Sequence, residues 1–194
     1  SGYAGTFANP DDLQNMESIP LNHPISVTVP GAVAGWIELS KKYGNLKIEE
    51  ILNLGIELCH EGFEINEELY NSLNLHKEEL SGQASGYGFY RDNQPFETGK
   101  MIRRPQLGKT LELLKRNGLE YFYDSDITKS ISSSVNGILS YDDLKNFKAE
   151  WKKPLHSKIY GFDGWTSPPS TQGYLTLSTL KAIEMLGAEH NDIH

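Results

Sequence analysis

The feature that most constrains this chain is Val27-Thr28-Val29-Pro30-Gly31-Ala32-Val33-Ala34-Gly35-Trp36, an alternating run that turns at Pro-Gly and continues straight into an apolar helix. Pro30 fixes φ and lacks the amide hydrogen that a helix start leaves unpaired in any case. Gly31, Ala32, Ala34 and Gly35 carry so little side chain that the helix they open can lie close against a neighbour. A strand-to-helix corner of this kind occurs in many proteins that mix the two element types, so it sets a class and not yet a function.

Helices dominate the chain beyond this corner. One runs through Trp36 and Leu39 to Tyr43, with Gly44 expected as a left-handed cap. Ile48, Ile51, Leu52, Ile56 and Cys59 make an apolar stripe on a 3.6-residue period that Gly62 ends. A third helix is expected from about residue 66 to 80, with Leu69, Leu73 and His76 on one face. Residues 81–99 read as a glycine-rich loop with aromatic anchors. Helix resumes at Pro105 with Leu107, Leu111 and Leu114 as its buried row and stops at Gly118. Ser125-Asp126 caps a helix bearing Ile127, Ile131 and Val135. Ser140-Tyr141-Asp142-Asp143 has the S-x-x-D form of a capping box. From Pro154 the period becomes extended, with Leu155, Ser157 and Ile159 alternating against His156, Lys158 and Tyr160, and a turn expected at Gly161-Phe162-Asp163-Gly164. Leu175, Leu177, Leu180, Ile183 and Leu186 form a last helix ending at Gly187.

The expectation is one α+β unit over residues 1–194, mostly helical: an irregular lead-in (1–24), a helical layer (25–153), strands (154–166), and a connector with a helix (167–187). Eighteen basic against 26 acidic residues give a net charge of −8, with no basic run longer than two. Nucleic acid and anionic membrane are poor partners for such a surface. No apolar run approaches the roughly 20 residues that a bilayer span needs. The compartment stays open, with the cytoplasm favoured because no secretion signal is visible in the sequence. One cysteine, Cys59, excludes an internal disulfide framework and any multi-thiolate zinc site.

Candidate reactive groups each carry a plainer reading. Cys59 and His60 are adjacent, so on a helix they point about 100° apart and do not form a nucleophile–base pair. Cys59 sits on the apolar stripe and reads as core. His60-Glu61 followed by Glu64 lacks the second histidine of H-E-x-x-H. His190 and His194 share a helical spacing but sit in a tail, and no metal or cofactor is expected. Tyr87, Phe89, Tyr90 and Phe96 either stack on a ligand or pin their loop. Arg103 and Arg104 before a helix start either hold an anion or are solvated. Ser1 has the form of an N-terminal nucleophile, but nothing else in the sequence supplies an oxyanion site or a second base. No catalytic residue is assigned within the chain.

The order of motifs goes further. The opening Val27–Trp36 stretch, Tyr43-Gly44, Glu57-Leu58 with Glu61-Gly62-Phe63, and Pro105-x-Leu107-x-x-Thr110-Leu111 resemble the γ-glutamyltransferase (γ-glutamyltranspeptidase) family. So do Gly118 with Phe122-Tyr123, Asp143-Leu144 with Phe147-Lys148, Trp151 with Pro154-Leu155, Tyr160-Gly161, and Ser167-Pro168-Pro169-Ser170-Thr171-Gln172-Gly173. Each motif alone is weak; the ordered set, in one register, is specific.

The resemblance implies an N-terminal-nucleophile hydrolase that autoprocesses into a large and a small subunit packed as an αββα sandwich. This chain would be the middle of the large subunit, mostly its helical layer. The threonine that opens the small subunit, outside this chain, would attack a γ-glutamyl carbonyl of a glutathione-like donor, with its own α-amine as base, and pass the acyl group to water or an amino acid. The small subunit is thus the implied partner. One departure bears on substrate. The family arginine that pairs with the donor's α-carboxylate falls at Tyr3, within Ser1-Gly2-Tyr3-Ala4-Gly5, and a phenol cannot neutralise a carboxylate at neutral pH. Tyr3 is therefore the candidate substrate-binding residue. A non-glutamyl acylase with the same chemistry and a non-catalytic helical interaction module remain as alternatives.

Overall fold

The computed structural model describes residues 2–14, 16–20, 23–83 and 86–187. Ser1, His190 and His194 lie outside them. The chain divides into two compact units, residues 36–127 and residues 1–35 with 128–194.

The first unit opens with the greater part of α1 (Ala32–Tyr43) and continues into α2 (Ile48–Glu61). Gly44 does not adopt a left-handed φ; its N–H donates to the Ser40 carbonyl at 2.9 Å, continuing the helical bonding pattern in place of reversing it. Gly62, by contrast, has φ +101° and caps α2 through the Leu58 carbonyl. Of the α2 stripe, Leu52 and Cys59 are buried. Helix α5 (Pro105–Asn117) packs on α2, and Gly108 makes the close approach possible: a Cβ there would lie 2.8 Å from His60 Nε2 and 3.1 Å from Cys59 Cβ.

Between these helices the chain forms β1 (Phe63–Glu64), α3 (Glu67–Leu75), α4 (Lys77–Leu80), β2 (Tyr90–Arg91), β3 (Gln94–Pro95) and β4 (Met101–Ile102). The single helix expected over 66–80 breaks at His76 (φ −100°, ψ 20°). Leu75 is 78% exposed, so no buried side chain holds the helix continuous at that point. Strands β1 and β4 pair Phe63 with Ile102, and β2 and β3 form a hairpin. Its turn residues, Asp92 and Asn93, have φ of 50° and 59°, the two-residue turn whose twist matches antiparallel strands. The aromatic loop is thus partly a hairpin. Phe89, Tyr90 and Phe96 pack against Ile65, Leu73 and Ile102, and the Tyr90 hydroxyl donates to the Leu73 carbonyl at 2.7 Å. Three of the four loop aromatics are anchors; Tyr87 is exposed.

The second unit contains most of α6 (Asp126–Ser134), then α7 (Tyr141–Lys145), β5 (Leu155–Ile159), β6 (Phe162–Thr166) and α8 (Gly173–Met185). Leu139, Leu144 and Thr128 are fully buried in it, and Val29, Val33 and Val135 nearly so. Strands β5 and β6 pair from Leu155 with Thr166 to Ile159 with Phe162. The turn falls at Tyr160-Gly161 (φ 48° and 83°), ahead of the Gly161–Gly164 segment that composition suggests. Register explains this: with His156 opposite Trp165, two residues are left to close the ribbon. Among the described residues no helix is long and apolar enough to cross a membrane.

The lead-in is tied down more firmly than its composition implies. Ala4 bridges Thr28 antiparallel, and Val29 N–H donates to the Tyr3 carbonyl at 3.0 Å. Gly5 is buried, and a Cβ on it would run into the Ile138 carbonyl. Gly31 lies against the Phe147 ring, 3.2 Å from a would-be Cβ, whereas Gly35 has open space around it. The small residues of the opening stretch therefore serve close packing at Gly31 and not at Gly35.

Candidate functional site

Helix α7 is held at its start by a reciprocal capping box. Asp143 N–H donates to Ser140 Oγ at 3.0 Å, and Ser140 N–H donates to Asp143 Oδ2 at 2.8 Å. The same carboxylate receives the Thr6 amide at 2.9 Å and the Thr6 hydroxyl. Asp143 thus serves both its own helix and a residue 137 positions earlier. Partial burial opposes ionisation of Asp143, but the hydrogen bonds from Thr6 and Ser140 outweigh it and lower the carboxyl to about 2.

This clamp shapes a cleft of about 460 Å³ whose walls include Tyr3, Phe7, Val29, Asn146 and Phe147, with Asp142 and Asp143 at the α7 side. Among the described residues no lysine or arginine lines it. Tyr3 meets Phe147 edge to face, with centroids 6.0 Å apart, and its hydroxyl donates to Glu150 Oε1 at 2.9 Å. Glu150 is in turn ion-paired with Lys152. Through that chain Lys152 and then Tyr3 lower the Glu150 carboxyl, and the Glu150 bond raises the phenol above its ordinary range. Tyr3 is 60% exposed.

The other candidate groups do not converge on the cleft. Cys59 is buried core, and His60 Nε2 lies 2.9 Å from Glu112 Oε1. Arg103 and Arg104 part company: Arg103 Nε donates to the His60 carbonyl at 3.1 Å, while the Arg104 guanidinium lies over the Phe89 ring at 4.5 Å. Among the described residues no group of three or more histidine, cysteine or carboxylate side chains is arranged to hold a metal ion. Sequence reasoning misses Thr6, Glu150 and Lys152. No local pattern could find them, since the Tyr3–Glu150 bond spans 147 positions.

The family model for gamma-glutamyltranspeptidase matches residues 1–194. The chain belongs to the gamma-glutamyltranspeptidase family. Within this family it is 31% identical over 163 residues to the capsule biosynthesis protein CapD proenzyme of Bacillus anthracis, covering 84% of this chain and 30% of that protein. To the glutathione hydrolase proenzyme of Bacillus subtilis it is 26% identical over 196 residues, covering 96% and 33%. The crystal structure of the Bacillus anthracis transpeptidase CapD superimposes with a TM-score of 0.73 at 30% identity, over 83% of this chain and 56% of that one. The chain thus spans about a third of the length of these curated relatives. The α+β architecture, mostly helical with small strand pairs, is that of gamma-glutamyltranspeptidase-type N-terminal-nucleophile hydrolases. The sequence leads to an expectation of one strand pair, and three are present among the described residues.

Proposed function

We propose that this chain is a portion of the large subunit of an acyl-transferring amidohydrolase, which moves a γ-glutamyl group from a glutathione-like donor to water or an amino acid. The observation that carries this reading is the family match along residues 1–194, joined by relatives named glutathione hydrolase. Those relatives are named proenzymes, which supports a small-subunit partner produced by self-cleavage and opened by the threonine nucleophile. In this scheme the threonine hydroxyl attacks the donor's amide carbonyl, its α-amine takes the proton, and the leaving amine departs protonated before water or an amino acid resolves the ester. The chain's own part is scaffold and substrate contact: the Asp143 clamp holds the lead-in, and Tyr3, on the wall of the cleft, is the residue put forward to meet the donor.

Expression of the full gene followed by intact-mass measurement and N-terminal sequencing tests this. A second polypeptide opening with threonine, together with release of the aniline from an acyl anilide, is the expected result. A single uncleaved chain without such activity would overturn it.

A second reading, an acylase for non-glutamyl side chains, is favoured by one observation. The resemblance puts Tyr3 at the family's carboxylate-pairing position, and the Tyr3 hydroxyl donates to the Glu150 carboxylate, which supports a donor group other than glutamyl.

A further inference from the structure

Helix α8 has only two charged side chains, Lys181 and Glu184, and both are directed at the β5–β6 ribbon. Lys181 Nζ donates to the Lys158 carbonyl at 2.9 Å and is ion-paired with Glu184, whose Oε1 receives the Tyr160 amide. Leu177 lies on the same side, over Gly164, where a Cβ would come within 2.9 Å of it. Successive helical residues are turned by about 100°, which leaves Leu175, Thr176, Thr179 and Ile183 on the opposite side, with Leu180 at its edge. That side has no charge, and Leu175 is 47% and Leu180 40% exposed. A helix whose outer face lies in water carries charged and polar residues there and turns its apolar stripe inward. Here the charges sit against the ribbon and the uncharged side is open, the pattern of a helix covered on both sides.

The ribbon is open in its own way. Among the described residues β5 and β6 pair only with each other, so each has an outer edge with no strand on it. A small apolar molecule could cover the helix face but not a strand edge; a polypeptide can do both. We infer that the outward face of α8 is a docking surface for a further segment of the same proenzyme, one that presents an apolar surface without charge. The inference rests on the reading of this chain as a portion of the large subunit. The matches cover 30% and 33% of the two curated relatives, so in a proenzyme of that length the larger part is left to supply the segment. The chemistry of the face restricts it further. Leu175, Ile183 and the threonines offer no counter-charge, so a charged surface docked there would lose its hydration without compensation.

The test uses the self-processed enzyme expressed from the full gene. Thr179→Cys puts a small thiol at the centre of the face, and Leu75→Cys puts one at a site that is 78% exposed, each read by its alkylation rate with peptide mapping. Thr179→Cys is expected to react about a hundredfold or more slowly than Leu75→Cys in the native enzyme, as a site reached only through local opening does, and at the same rate in urea. A photo-cross-linking benzoylphenylalanine in place of Leu186, on the same side of the helix, should join to a peptide of the proenzyme outside residues 1–194. Equal native rates at the two thiols in a cleaved, active enzyme would overturn the inference and leave the large-subunit reading standing. So would a cross-link to residues 36–127, or one between two copies of the enzyme whose yield rises with protein concentration. A single uncleaved chain without activity is a different outcome: it defeats the large-subunit reading itself, and the inference falls with it.

Discussion

Two of the side-chain contacts that tie the lead-in to the body are built in opposite ways. At Asp143 one carboxylate receives Thr6 and Ser140 together beside the fully buried Leu144. At Tyr3 a single bond from a solvent-exposed phenol reaches Glu150, which is also exposed. The first arrangement is a clamp, since each group satisfies another and the carboxylate is held ionised well below its usual range. The second contributes little to stability, because exposed polar pairs compete with water. The difference separates a contact that holds the lead-in in place from one that adds little to the fold.

The largest loss of stability comes from below the clamp. Leu144→Ala should cost about 2–5 kcal/mol of unfolding free energy, the usual range for a buried leucine, and urea denaturation would read it. Asp143→Asn comes next, at about 1–3 kcal/mol, since Thr6 and Ser140 each lose a charged acceptor while the helix cap is weakened.

Acid separates the two contacts again. The folded Asp143 carboxyl is lowered to about 2 from an ordinary 3.8, so its stabilisation is fully present above about pH 4 and is lost as pH falls through 2. Wild-type stability should therefore decline across that window by about 1 kcal/mol more than that of Asp143→Asn, after allowance for solvent screening. Equal slopes for the two would remove Asp143 from the clamp. Ser140→Ala should cost about 1 kcal/mol, as expected for one side of a helix cap. Smallest of all is Tyr3→Phe, which should leave the urea midpoint where the wild type has it.

The clamp is half legible in the sequence, and the Tyr3–Glu150 contact hardly at all. Ser140-x-x-Asp143 announces the cap because both partners sit within four residues, where local chemistry decides the outcome. Helices α2 and α5 are readable for a similar reason, from apolar periodicity closed by Gly62 and Gly118. Thr6 cannot be seen as the second partner of Asp143, because 137 residues separate them and a threonine in a polar segment has no distinguishing pattern. The β1–β4 pairing is invisible for a different reason: two residues per strand leave no period to detect. The β2–β3 hairpin does carry a signal, Asp92-Asn93 being residues that tolerate positive φ, but the surrounding glycines suggest loop. The expected cap at Gly44 fails because a glycine permits the left-handed conformation without requiring it. Tyr3 stands out only through the family resemblance, and its partner Glu150 comes from the structure alone.

The most direct test is a crystal structure of the processed enzyme with its nucleophile replaced and an acyl amide bound. The acyl group should lie against Tyr3 on the wall of the cleft, with the Thr6 amide still about 3 Å from Asp143, a normal hydrogen-bond distance. An acyl group bound away from Tyr3 would contradict the substrate contact proposed for it.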